Sequence, residues 1–400
     1  MSPGQKPKIL ITGDFSYSRA QGAHVALGLA KPLRDAGFSL EFLSRHMDDT
    51  GIRSDFQEFP CHYAPNRLPL RGWRAAFRNR SESENPLLKW LEQVPAGHFF
   101  ALIAYPGSGA TLAFLWRLQR LCVAKAWRLV VVVTEWQKFL RNGLRTLHSS
   151  LAAFMDSEIQ MRIVNKQIRN IIAVSTYLHR YYRKSGCNVM HIPPLIDTQA
   201  EKWRRRQPIE SPKQDLSLLF SGTWGRDRLE TIIESVERLR TEGHKIVLEF
   251  LGCGPDDLGR NPKLQRLMSQ SPPGTLRFHG WVPAERVLPI TAAADFGVLL
   301  RDHARWSDAC FPSKVAEFQA LGVPLLCNLT SDLDQSLKDG ENALIVPHVS
   351  VAELMNTMRR ALALTPLERE RMKQCSFQRA AVHFDYRHYV SPLAEFLNKV

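Results

Sequence analysis

A chain of 400 residues is long enough for about two domains, each with its own core, and no run of 18 apolar residues is present to form a membrane-spanning helix. The seven cysteines show neither a C-x-x-C pair nor a metal-ligand spacing, and the first residues lack a signal-peptide apolar stretch. These features predict a cytosolic protein with idle thiols and no metal. The net charge of +14 is unevenly spread: residues 1–195 hold 26 Lys and Arg against 13 Asp and Glu, whereas residues 196–400 hold 27 against 26. Such asymmetry predicts an anionic partner for the first half only, whether a membrane surface, a nucleic acid or an anionic substrate.

In chain order, residues 8–12 read as a strand, 13–22 as a polar loop, 24–33 as a helix ending near Gly37, and 39–43 as a second strand. The segment 67–80 interleaves arginines with Leu70, Trp73 and Phe77. On a helix, Trp73 and Phe77 fall at i and i+4, as in an amphipathic segment lying on a membrane; the alternative is a helix packing its aromatics on the core. A nucleic-acid partner is not expected, because no helix-turn-helix, zinc or RRM signature is present. Strands follow at 99–104, 128–134 and 170–174, and each ends in small or polar residues, where open α/β sheets bind ligands. Tyr105, Gly107, Ser108 and Gly109 form one such turn. At the end of the 128–134 strand, Glu135 is the candidate polar group for a reaction centre, with a capping or surface role as the alternative.

The second half opens with a strand and turn, Leu218-Leu-Phe-Ser-Gly222-Thr-Trp-Gly-Arg226-Asp-Arg228, leading into a helix over 229–239. Leu248-Glu-Phe-Leu-Gly252-Cys-Gly254-Pro255, Leu276-Arg-Phe-His-Gly280-Trp-Val282-Pro283 and the strand before Leu300 come next. The densest signal is Phe311-Pro-Ser313-Lys314-Val-Ala-Glu317, running on to Gly322-Val-Pro324. Pro312 suits a first helical position, and Gly322 with Pro324 marks the stop, so a helix is predicted over 312–321. Its first N–H groups and Lys314 suit an anion. Glu317, on the same face and an acceptor only, suits paired ribose hydroxyls. The alternative is a Lys–Glu pair on an ordinary capped helix.

Together with Gly340-Glu-Asn-Ala-Leu-Ile-Val-Pro347, these segments resemble glycosyltransferase family 4, in the family's order and over most of the chain. The resemblance implies an α/β fold of GT-B type, with two Rossmann-like domains facing a central cleft. The expected divisions are an acceptor domain at 1–197, a linker at 198–214, a nucleotide-sugar domain at 215–375 and a helical tail at 376–400 crossing back to the first domain. It implies transfer of a hexose from a nucleotide diphosphate sugar, with retention and without a metal or cofactor, to a saccharide or lipid-linked saccharide. Cell-surface polysaccharide synthesis at the inner face of the plasma membrane is the setting it suggests.

In this scheme Gly222, Arg228, Ser313 and Lys314 meet the diphosphate, Glu317 the ribose, and the backbone at Gly280 and Val282 the base. Gly22, His24 and Glu135 lie on the acceptor side. One departure stands out: the family's two glutamates lie eight positions apart, and the position eight before Glu317 is Ala309, beside Asp308. A sugar-nucleotide epimerase and a non-catalytic nucleotide-sugar-binding protein are the alternatives on the same fold.

Overall fold

The computed structural model describes residues 6–13, 20–44, 55–56, 58–64, 85–105, 112–136, 154–155, 157–203 and 215–400. The basic segment 67–80 and the turn at 107–109 lie outside them. The chain divides into two compact units. One comprises residues 1–196, 309–311 and 386–400, and the other residues 197–308 and 312–385.

In the first unit the chain runs β1 (Lys8–Gly13), α1 (Ala20–Asp35), β2 (Ser39–Ser44), β3 (Asp55–Phe56), β4 (Phe59–Tyr63), α2 (Pro86–Gln93), β5 (Ala101–Tyr105), α3 (Leu112–Ala124) and β6 (Arg128–Val133). A π-helical turn (Gln160–Val164) then leads into α4 (Asn165–Ile168), β7 (Asn170–Ala173), α5 (Thr176–Arg183) and β8 (Asn188–His191). Among the described residues the strands form one sheet in the order β3-β4-β2-β1-β5-β6-β7-β8, parallel throughout except for the β3–β4 pair. Parallel strands covered on both faces need continuous apolar runs, which Ile9-Leu10-Ile11 and the four valines of β6 supply; all of these are buried.

The expected loop to Gly22 and helix from residue 24 need correcting, because α1 begins at Ala20 and carries both Gly22 and His24 in its opening turns. The glycine penalty of about 1 kcal/mol is a weak veto, and burial of Ala26, Leu29, Ala30 and Leu33 offsets it. Gly28 has a packing reason: a Cβ there would lie 2.8 Å from the Leu195 carbonyl oxygen. The chain's end also belongs to this unit. Tyr386 donates its hydroxyl to Asp35 at 2.8 Å, Arg128 Nε donates to the Val400 carbonyl at 3.0 Å, and Leu393, Phe396 and Leu397 join the core around α1.

The second unit starts with a short 3-10 turn (Glu201–Trp203) whose Trp203 is buried. It continues through β9 (Leu216–Ser221), α6 (Leu229–Thr241), β10 (Ile246–Leu251), α7 (Pro255–Leu258), α8 (Pro262–Gln270), β11 (Leu276–Gly280), α9 (Ala284–Ala293) and β12 (Phe296–Leu299). Then come α10 (Arg305–Asp308), α11 (Lys314–Ala320), β13 (Leu325–Cys327), α12 (Leu333–Ser336), β14 (Ala343–Ile345), α13 (Val351–Ala363) and α14 (Pro366–His383). The sheet is parallel, in the order β11-β10-β9-β12-β13-β14.

Alternation along β9 and β10 sends Leu216, Leu218, Phe220, Leu248 and Phe250 into a core with α6 and α13. On the other face α11 packs so closely on β12 that a Cβ at Gly297 would fall 2.8 Å from the Phe318 ring. Six of the seven cysteines are buried and all are free; burial pushes the thiols of Cys122, Cys253 and Cys327 up to about 12, which keeps them protonated.

Candidate active site

At the C-terminal ends of β9, β10 and β11 the backbone turns on three glycines. Gly222, Gly252 and Gly280 have φ values of 147°, 91° and 64°, and a side chain at any of them would be strained. They are laced together: Gly222 N–H donates to the Leu251 carbonyl at 2.9 Å, and Gly252 N–H donates to the Gly280 carbonyl at 2.8 Å. A Cβ on Gly252 would also approach the Gly222 carbonyl to 3.3 Å. The result is a bare backbone edge where open parallel sheets take ligands. Val282 follows Gly280 and is half-buried, beside Trp281, which is 74% exposed.

The turn after Gly222 is locked to the end of β12 by two reciprocal ion pairs. Asp227 accepts from Arg301 Nε at 3.0 Å, with both side chains under 10% exposed. One residue on, Arg228 Nε donates to Asp302 at 2.7 Å with its side chain 52% exposed. The Arg228 N–H also donates to the Leu300 carbonyl at 2.7 Å. Arg228 stands at the N-cap of α6, where its side chain caps nothing. Its partner is therefore a residue just beyond the end of β12.

The helix predicted over 312–321 is shorter, Lys314–Ala320, with Ser313 rather than Pro312 at its boundary. Its first amides are not all free. Val315 N–H donates to the Pro312 carbonyl at 2.9 Å and Ala316 N–H to the Ser313 carbonyl at 3.2 Å, a tight 3-10-like start that satisfies groups an α-helix leaves open. The cationic side chain is thus the more available anion ligand. Lys314 Nζ donates to Glu317 at 2.8 Å, and Glu317 is only 9% exposed, so the pair is half-sunk in the protein and no mere surface bridge. Ser313 is exposed. Ala309 is fully buried, and its carbonyl accepts from Ser175 Oγ at 2.9 Å. Neighbouring Asp308 faces the Ser331 N–H at 3.5 Å and His303 at 3.9 Å.

In the first unit, Glu135 lies two residues past the end of β6 and is half-buried. Its neighbour Trp136 is buried, donates its indole N–H to Glu158, and meets Tyr181 edge-on at 5.0 Å, which fixes the chain at this strand end. Gly22 and His24 sit in the opening turns of α1, the helix that follows β1.

Sequence reading missed Asp227, Arg301 and Asp302. The rule used for Glu135, polar residues just past an apolar strand, would have found the last two after Leu300. It also missed Glu249. This carboxylate, 13% exposed, accepts from Ser217 Oγ at 2.6 Å and from His279 Nε2 at 2.7 Å, with Arg277 Nη1 at 3.4 Å. Burial opposes its ionisation, but the hydrogen bonds from Ser217 and His279 and the charges of Arg277 and His279 outweigh burial and hold its pKa below the ordinary 4.5.

The two parallel-sheet units have the GT-B glycosyltransferase fold, and residues 215–363 match the family model described as glycosyl transferases group 1. Among solved structures, the chain is similar to Anabaena HepE in complex with UDP and glucose at 15% identity, covering 98% of this chain and 99% of that one with a TM-score of 0.66. It is similar to sucrose-phosphate synthase from Thermosynechococcus elongatus at 16% identity, covering 99% of both chains with a TM-score of 0.68. It is also similar to WaaG, a glycosyltransferase involved in lipopolysaccharide biosynthesis, at 13% identity, covering 98% and 100% with a TM-score of 0.62. No curated protein matches the sequence.

Proposed function

We propose that the chain is a retaining hexosyltransferase of the family 4 type, moving a hexose from a nucleotide diphosphate sugar to a hydroxyl of a saccharide or lipid-linked saccharide in cell-surface polysaccharide synthesis. The reading is supported by the Arg228–Asp302 and Lys314–Glu317 ion pairs and by three glycine-turned strand ends, all of which fall inside the segment that matches glycosyl transferases group 1. Breaking the anomeric bond puts charge on the departing diphosphate, so fixed cations lower the barrier. Arg228 and Lys314 meet that charge, Ser313 adds a hydroxyl, and Gly222 lets the backbone come close. Glu317, oriented by Lys314, accepts from the ribose hydroxyls, and the backbone at Gly280 and Val282 meets the base. Gly22, His24 and Glu135 serve the acceptor side. The neighbouring structures bound to UDP and glucose support a donor of this class.

The partner for the basic half, on this reading, is the anionic inner face of the plasma membrane. Among the described residues no helix is long and apolar enough to cross a membrane. The outer face of α3 supports peripheral contact: Trp116 is 44% and Val123 76% exposed, the Arg120 guanidinium stacks 3.6 Å from the Trp116 ring centroid, and α3 carries no acidic residue.

Incubation with a panel of UDP-, GDP- and ADP-hexoses and a saccharide acceptor tests the reading. Nucleoside diphosphate release with a product of unchanged anomeric configuration is the expected result. Epimerised sugar nucleotide without acceptor, or no turnover at all, would count against it.

A further inference from the structure

The strand β11 lies at the edge of its sheet and has β10 as its neighbour on one side only. Their register is regular through Leu248↔Leu276, Glu249↔Arg277 and Phe250↔Phe278, and then slips so that Leu251 pairs with Gly280. His279 is the extra residue. A bulge of this kind leaves a residue unpaired and re-aims the chain beyond it. Here the chain beyond is Gly280, Trp281 and Val282, and among the described residues no strand pairs with it across the free edge.

On the β10 side the Gly252 N–H bonds the Gly280 carbonyl at 2.8 Å, and further support comes from the sheet face opposite the main core. Arg277 and His279, two apart, both reach Glu249 on β10, at 3.4 and 2.7 Å. Glu249 is itself anchored by Ser217 of β9 at 2.6 Å, and the Ser217 N–H is in turn bonded to Asp295 at 2.8 Å. On the main-core face Phe278 stacks on Phe250, with ring centroids 4.7 Å apart and planes 11° apart, so the residue before the bulge is fixed as well. The carboxylate thus ties three strands together at the point where the ladder breaks.

We propose that Glu249 is a positioning residue: by gripping His279 in the bulge it sets the backbone of Gly280, Trp281 and Val282 for a nucleobase. This inference rests on the nucleotide-binding reading given above. Glu249 touches no ligand itself; it acts through His279.

Amide hydrogen exchange over residues 276–283 without ligand, combined with affinities for UDP, GDP, ADP and inorganic pyrophosphate, tests it on the full chain. Glu249→Ala should speed exchange at Gly280, Trp281 and Val282 and weaken the best nucleotide by about tenfold, the equivalent of about 1.4 kcal/mol, while pyrophosphate binding stays unchanged. Glu249→Gln keeps an amide oxygen to accept from His279 and an NH2 that can donate to the Ser217 hydroxyl, and should recover most of the loss, which also guards against a variant that simply fails to fold. Wild-type exchange in Glu249→Ala overturns the proposal, as does faster exchange with undiminished nucleotide affinity or an equal loss for pyrophosphate. If exchange speeds up but the wild-type protein binds none of the nucleotides, the nucleotide reading falls while the grip on the bulge stands.

Discussion

Two aspartates one strand end apart have opposite assignments. Asp227 and Arg301 are paired below the surface, so Asp227→Ala strands a buried guanidinium and should cost about 3–5 kcal/mol in denaturant unfolding. Asp302 pairs with a half-exposed Arg228, where such bridges contribute about 0–1 kcal/mol, so Asp302→Ala should leave stability nearly unchanged. Equal losses in the two variants would reject this division. On the proposed reading Arg228 and Lys314 serve the departing diphosphate, and replacing either by Ala should lose roughly 2–4 kcal/mol of transition-state stabilisation, read as kcat/KM. Glu249 gives a pH signature. Its folded pKa lies below 4.5, so its contribution is present above that value and is lost as pH falls through the folded pKa. Melting followed from about pH 7 down to about pH 3 should show a steeper acid loss in the wild type than in Glu249→Gln. Parallel curves would contradict it.

At the scale of elements, the candidate site depends on the placement of α11, and Gly297 lets that helix pack closely on β12. Gly297→Ala would drive a Cβ to within 2.8 Å of the Phe318 ring on that helix; the overpacking should cost about 1–3 kcal/mol and weaken nucleotide binding together with it. Unfolding and binding curves identical to wild type would show that the helix is not pinned there. Strands were the legible elements, because a parallel strand buried on both faces has to be written as a continuous apolar run, as in Ile9–Ile11 of β1 and the four valines of β6. Helix starts were not. Gly22 and the proline before Ser313 carry local preferences of a kilocalorie or so, and burial around α1 and the tight first turn of α11 overrode them. Within the site, Lys314 and Glu317 were readable because they share a helix face, whereas Asp302 and Glu249 find Arg228 and His279 across 74 and 30 residues, a pairing that exists only after the sheet has formed.

For the whole molecule, the order of strands and helices indicated a largely parallel α/β architecture, since each segment is a local strand–turn–helix unit, whereas the two-domain GT-B arrangement was legible only through the resemblance to glycosyltransferase family 4. Charge is also a whole-molecule property. With 26 basic against 13 acidic residues in 1–195, the chain should co-sediment with anionic vesicles at low ionic strength and release in salt. Reversing three of Arg71, Arg74, Arg78 and Arg80 should release it as well. Failure of the wild type to sediment would assign the charge to an anionic acceptor saccharide instead.

The most direct measurement for nucleotide-sugar transfer is thermal unfolding of the wild type and Glu317→Gln against UDP, GDP and ADP and their hexose conjugates. One base should stabilise the wild type by about 2.7 kcal/mol at 100 times its Kd. Glu317→Gln should bind the free nucleotide about 1–3 kcal/mol more weakly. A wild type that shifts with none of the nucleotides, or a Glu317→Gln variant that binds them as tightly as the wild type, would contradict the assignment.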